Sequence, residues 1–159
     1  MRVKIMSLSF ALTGVGFATI ERANLSNPTG NLASTMRSLI FCTTCRHSAE
    51  QKVGEDGRTG GETLIAHVGD ILAEKGRDDV RIQTQACMWN CKQHCSVVLQ
   101  DDERFTYFTG HHVPTKAQAE AILAWFDLHG ATETGEVPFK QWPDAMRGHF
   151  IARIPKAAS

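Results

Sequence analysis

Every cysteine of this chain falls in one of two short stretches. The first is Cys42-Thr43-Thr44-Cys45; the second runs from Cys87 to Cys95 and holds Cys87, Cys91 and Cys95. Scattered cysteines serve as small core residues or as disulfide partners. Thiols separated by two or three residues instead converge on one point, as metal ligation requires. A fold that serves both groups must bring them to one place across the long segment between Cys45 and Cys87, and that demand narrows the architecture.

The residues around the cysteines show how this is done. Ser38-Leu39-Ile40-Phe41-Cys42 is a short apolar run that reads as a buried strand ending at the first cysteine. A polar, glycine-rich loop follows from Arg46 to Thr59. Thr59 and Glu62 are spaced as a capping box. Leu64, Ile65, Val68, Ile71 and Leu72 then share one helical face, and the helix should stop near Gly76. Val80, Ile82, Thr84 and Ala86 alternate with polar residues, predicting a strand with one buried face that delivers the chain to Cys87. After the second cysteine group, Ser96–Gln100 and Phe105–Thr109 read as a hairpin around a solvated acidic tip, Asp101-Asp102-Glu103. Thr115 and Gln118 are spaced as a second capping box. Ala119, Ile122, Leu123 and Phe126 face one way in the helix that follows, which Gly130 should end. From Gly135 onward, Pro138, Pro143 and Pro155 argue against long regular elements. Phe139, Trp142, Met146, Phe150 and Ile154 are expected along the core surface.

This order, strand, helix, strand, strand, strand, helix, predicts an α/β domain: a four-stranded mixed sheet with two helices, the thioredoxin-like arrangement. Its first two strands, joined by a helix, form a parallel right-handed unit. Adjacent parallel strands place their C-terminal ends side by side, where α/β sheets bind ligands. Both cysteine groups therefore meet at one sheet edge.

Three chemistries use such a group of thiols. Four thiolates hold a 2Fe–2S cluster, or they hold zinc. A Cys-x-x-Cys after a first strand also suits thiol–disulfide exchange, as in thioredoxins. Against that reading, thioredoxins carry a cis-proline just before the third strand, and here no proline lies between Pro28 and Pro114. The helical pattern also begins only near Gly61, well after Cys45, whereas a helix starting at the thiols would lower their pKa.

The pattern of Cys42 after strand one and Cys87-x-x-x-Cys91 after strand two resembles the thioredoxin-like 2Fe–2S ferredoxins. More closely, Cys42-Thr43-Thr44-Cys45-Arg46, Cys91-Lys92-Gln93-His94-Cys95 and Ile151-Ala152-Arg153-Ile154-Pro155 are similar to a family of predicted metal-binding proteins. That family is a domain of unknown function, sometimes encoded near cobalamin or cobalt genes. The resemblance covers residues 37–156. It implies a cluster ligated by Cys42, Cys87 and Cys91 with one further thiol, Cys45 or Cys95. The ferredoxin pattern places its second ligand about a dozen residues after the first; Cys45 is much nearer, but no cysteine lies between Arg46 and Ala86, so Cys45 is the expected fourth ligand and Cys95 the competitor. The implied activity is one-electron transfer to a redox partner protein, as a carrier or accessory rather than an enzyme in its own right.

Neighbouring residues complete the expectation. Arg46, Lys92 and His94 flank the thiols and are candidates to offset thiolate charge or to dock an acidic partner. Trp89, inside the second cysteine loop, is expected to shield the site from water. His94 is a further donor in reach, and His111-His112 a weaker one. Seventeen basic residues balance seventeen acidic ones, which argues against a general nucleic-acid or membrane-surface binder. The odd cysteine count argues against a secreted disulfide framework and favours the cytoplasm. Residues 1–35 read as a lead outside the domain: a start called too early, a disordered lead, or a weak signal peptide with Gly16-Phe17-Ala18 as a poor cleavage site. The apolar stretch Ile5–Ile20 is broken by polar residues and is short for a membrane span. The domain proper occupies 36–156, and a homodimer is compatible with this reading.

Overall fold

The computed structural model describes residues 37–156, so the readings of residues 1–35 fall outside the described residues. Five strands and two helices alternate along the chain: β1 (Ser38–Cys42), α1 (Gly60–Glu74), β2 (Arg81–Gln85), β3 (Val97–Gln100), β4 (Thr106–Thr109), α2 (Lys116–Gly130) and β5 (Phe150–Ile154). They form one mixed sheet in the order β2-β1-β3-β4-β5. β1 and β2 are parallel and every other pair is antiparallel.

The fifth strand corrects the expected count of four. Prolines bracket Phe150–Ile154 without interrupting it. A register irregularity against Phe108 and Thr109 breaks its two-residue alternation, the signal by which a strand is read. The aromatics around it divide. Trp142 and Phe150 pack on the buried Trp125 at 5.2 and 4.6 Å between ring centroids, and Met146 is buried. Phe139 and Ile154 remain exposed. Edge-to-face pairs of this kind add about 0.5–1.5 kcal/mol each beyond the area they bury.

Burial alternates along the central strands. Leu39, Phe41, Val97, Leu99, Tyr107 and Thr109 are buried, while Ile40, Val98 and Phe108 between them are only half-buried. Both helices therefore cover the same sheet face. α1 contributes Leu64, Val68, Ile71 and Leu72, and α2 contributes Ala119, Ile122, Leu123, Trp125 and Phe126. Burying each of the larger apolar side chains is worth roughly 1.5–3 kcal/mol. β2, at the sheet edge, keeps only the first half of its expected apolar face inside: Val80 is buried, Ile82 half-buried, and Thr84 and Ala86 exposed.

The helix ends follow the sequence in part. The Thr59–Glu62 box forms in both directions, at 3.2 and 2.9 Å. Gly76, at φ +60°, supplies the left-handed residue that closes α1, with Arg77 N–H donating to Leu72 O. Thr115 caps α2 by accepting from Gln118 N–H, yet the reciprocal bond is missing. The Gln118 amide turns inward to donate to His112 Nδ1 and Ala145 O. Gly130 is the last residue of α2, for a packing reason: a Cβ there would lie 2.0 Å from the Arg37 guanidinium, which donates to Phe126 O.

One further expectation is overturned, and one weak metal-donor candidate finds a structural place. Asp101 is not a solvated tip residue; it is buried, pairs with Arg104 at 2.9 Å and accepts from Glu103 N–H. His112 belongs to the core. Its Nε2 bonds Thr109 Oγ1, its Nδ1 accepts from Gln118, and its ring stacks on His149 at 4.6 Å. Burial pushes its pKa down to about 3, with the His149 and His111 charges acting in the same direction.

Candidate functional site

Parallel pairing sets Cys42 opposite Gln85, so both chains leave the sheet side by side. Thr43 N–H and Thr44 N–H continue the ladder to Gln85 O and Ala86 O, and the Thr44 hydroxyl also bonds Ala86 O. This zipper carries the Cys-x-x-Cys turn against the segment that opens the second cysteine group.

The five thiols then separate by depth. Cys42, Cys45 and Cys95 are buried, at 4%, 5% and 0% exposure; Cys87 is half-buried and Cys91 is exposed. The buried three neighbour one another, with Cys45 close enough to Cys95 and to Cys42 to shift the protonation of both. The Ser96 backbone N–H donates to Cys45 Sγ at 3.3 Å. The Cys95 S–H has two acceptors in reach, Cys45 and the Arg46 carbonyl at 3.3 Å. The His94–Cys95 peptide bond is cis.

The N-terminus of α1 lies directly on these sulfurs, although the helix begins well after Cys45 in sequence. Gly60 N–H donates to Cys45 O at 3.0 Å, and the Thr59 hydroxyl bonds Thr43 O. A Cβ at Gly60 would lie 2.6 Å from Cys95 Sγ, and one at Gly61 only 1.9 Å from Cys42 O. Two successive glycines thus let the positive end of a helix approach the thiols as closely as backbone allows. The polar loop from Arg46 to Thr59 is the excursion that makes this return.

These contacts set the protonation of the three thiols. Hydrogen bonding from Cys95, helped by the Ser96 N–H and Cys42, brings the Cys45 thiol down to about 6 against the opposing effect of burial. Cys95 is pushed strongly up, first by its bond to Cys45 and then by burial. Burial raises Cys42.

Among the described residues, no three His, Cys, Asp or Glu side chains converge as a ready-made metal-ion site. Cys87 instead accepts from Trp89 N–H at 3.4 Å within its own loop. Trp89 does not shield the sulfurs: it is 95% exposed and adopts φ +56°, a left-handed conformation rare for a bulky residue. Arg46 and Lys92 are exposed and His94 is half-buried; no side-chain hydrogen bond joins any of them to a sulfur. The Ser96 backbone N–H meets Cys45 Sγ instead. Gly60, Gly61 and Ser96 went unread as site residues; the paired glycines after a capping threonine were the one available signal.

The structure thus defines an α/β protein with a buried group of thiols between the C-terminal edge of a sheet and a helix N-terminus. Residues 39–156 match the family described as "Protein of unknown function (DUF1636)", and the chain belongs to that family. No curated protein and no solved structure matches the chain.

Proposed function

We propose that this protein holds a 2Fe–2S cluster and serves as a small electron carrier or redox accessory to a larger enzyme. The observation that carries the proposal is the burial of Cys42, Cys45 and Cys95 together beneath the start of α1. The donor set fits in its chemistry: three buried sulfurs neighbour one another, and Cys87 supplies a fourth from the end of the neighbouring strand. Cys95 takes the place that spacing alone gave to Cys91. Because Cys87 stands apart from the buried three, ligation requires the Cys87–Cys91 loop to close inward. When bound, the cluster supplies reversible one-electron exchange. The chain's own part is to exclude water from three of the sulfurs, to donate an N–H bond from Ser96, and to present the positive end of α1; the last two favour the reduced state.

The strand order β2-β1-β3-β4, with β1 and β2 parallel and both helices on one face, supports a thioredoxin-like reading, with β5 as an added edge. Thiol–disulfide exchange is disfavoured by burial of both Cys42 and Cys45, since the attacking thiol must reach its substrate. A link to cobalt or corrinoid metabolism rests on the resemblance alone. Among the described residues, no helix is long and apolar enough to cross a membrane. The test is anaerobic reconstitution of the full chain followed by visible absorption and EPR of the dithionite-reduced protein. A brown protein with a reduced-state EPR signal supports the cluster; a colourless chain that retains zinc through the same cysteines supports a zinc site in its place.

A further inference from the structure

The spacing Cys42-Thr43-Thr44-Cys45 suggests that these two thiols are partners, but the fold pairs them differently. Each of Cys45 and Cys95 lies with its sulfur against the residue that follows the other. Cys45 Sγ accepts from Ser96 N–H, and Cys95 Sγ donates to Arg46 O, both at 3.3 Å. Gly60 closes on the same spot: its N–H donates to Cys45 O at 3.0 Å, and a Cβ there would lie 2.6 Å from Cys95 Sγ. The Cys42 sulfur turns elsewhere, toward Ala86 O at 3.8 Å and Thr44 Oγ1 at 3.9 Å. Ala86 follows β2 and Ser96 precedes β3, which flank β1 on opposite sides. A disulfide needs two thiols whose backbones already run close together, and Cys45 and Cys95 meet that demand.

We propose that Cys45 and Cys95 form a disulfide when a hydroperoxide reaches the metal-free chain, so that the redox pair of this protein joins its two cysteine groups and is not Cys42–Cys45. Cys45 reacts first. It keeps 5% exposure against 0% for Cys95, and the Ser96 N–H favours its thiolate. A hydroperoxide, unlike a substrate disulfide, is small enough to reach a thiol at that exposure. The Cys45 sulfur attacks the O–O bond, which breaks; one oxygen stays on sulfur as a sulfenic acid and the other leaves as water or an alcohol. The Cys95 sulfur then attacks Cys45, the sulfenic oxygen leaves as water, and the S–S bond forms. Two thiols thus give two electrons to one hydroperoxide, and a dithiol returns both to the reduced state by exchange. The bond itself does not depend on the cluster reading; its consequence, the withdrawal of two proposed ligands from loading, rests on that reading.

The experiment uses full-length, metal-free, reduced protein and an equimolar amount of hydrogen peroxide as the probe. After an acid quench, free thiols are alkylated under denaturing conditions and the chain is digested with trypsin. Cleavage after arginine and lysine separates the cysteines: Cys42 and Cys45 fall in residues 38–46, Cys87 and Cys91 in 82–92, and Cys95 in 93–104. Mass spectrometry should show 38–46 joined to 93–104, with fragmentation placing the bond at Cys45 and Cys42 alkylated. Dithiothreitol should dissolve the link, and Cys42→Ser should form it as fully as the unmodified chain. A bond within 38–46, a link from Cys42 to Cys95, or Cys95 still alkylated in full after peroxide overturns the proposal. Formation of the link in a chain that binds no iron, sulfide or zinc supports it while overturning the cluster reading, so the two fail separately.

Discussion

The junction between α1 and the thiols can be tested with two glycines of one helix. At Gly60 an added Cβ would meet Arg46 O at 2.3 Å, Cys95 Sγ at 2.6 Å and His47 Cα at 2.8 Å. None of these is the far end of a flexible side chain. Relaxing the closest contact to the 3.4 Å of ordinary van der Waals approach takes about 1 Å of movement in a close-packed interior. α1 cannot shift by that much without dragging Leu64, Val68, Ile71 and Leu72 through the core. Overpacking of this kind costs about 1–3 kcal/mol. At Gly69, in the same helix, a Cβ meets nothing within 4 Å. There, alanine should stabilise by about 0.5–1 kcal/mol through the lower chain entropy of the unfolded state. Urea unfolding at neutral pH should therefore separate Gly69→Ala from Gly60→Ala by about 2 kcal/mol or more, in that order. Gly60→Ala should also load less metal, because the same methyl pushes on Cys95. Equal stability and equal loading in the two variants would refute the close helix–thiol junction.

Three other predictions follow from groups away from the cysteines. His112 has a native pKa of about 3 against an ordinary 6.5, so its contribution to stability is complete above pH 6.5 and declines as pH falls toward 3. Between pH 7.5 and 5 the loss is about 2 kcal/mol, and urea titrations should show that part of the slope absent in His112→Gln. Asp101→Ala leaves the Arg104 guanidinium beside an uncompensated gap and should cost about 3 kcal/mol, whereas Asp102→Ala, at an exposed site, should stay within about 0.5 kcal/mol. Trp89→Ala should leave the unfolding midpoint unchanged within error while removing the acrylamide-quenchable part of the fluorescence; a clear drop in midpoint would mean that Trp89 is packed.

Much of the scaffold is legible in local sequence because its signals are local. The capping box at Thr59, the apolar faces of both helices and the strand that ends in Cys42 each depend on a few adjacent residues. The meeting of the two cysteine groups was legible only in part: the parallel-strand rule carries Cys87 to the end of β2 beside Cys42, but the thiol buried with Cys42 and Cys45 is Cys95, brought in next to the antiparallel β3. What escaped depends on contacts distant in sequence. Asp101 looks like a turn residue until Arg104 is seen folded over it. Trp89 was expected to cover the sulfurs, but its left-handed backbone turns it outward. Gln118 has the spacing of a capping residue, and His112 outcompetes the cap for its amide. β5 has the composition of a strand but lost its alternation to an irregularity that only its partner reveals. The α1 N-terminus was placed far from the thiols because distance along the chain was taken for distance in space. Its return over Cys45 removes one objection to an activated thiol, while the burial of Cys42 and Cys45 supplies a stronger objection to exchange with a substrate disulfide.

The most direct measurement is the iron, acid-labile sulfide and zinc content of full-length protein purified without oxygen, together with the Cys42→Ser, Cys45→Ser, Cys87→Ser, Cys91→Ser and Cys95→Ser variants. The account predicts about two irons and two sulfides per chain. It also predicts loss of both in every variant except Cys91→Ser. Zinc without sulfide in the unmodified chain, or full iron and sulfide in Cys45→Ser, would contradict it.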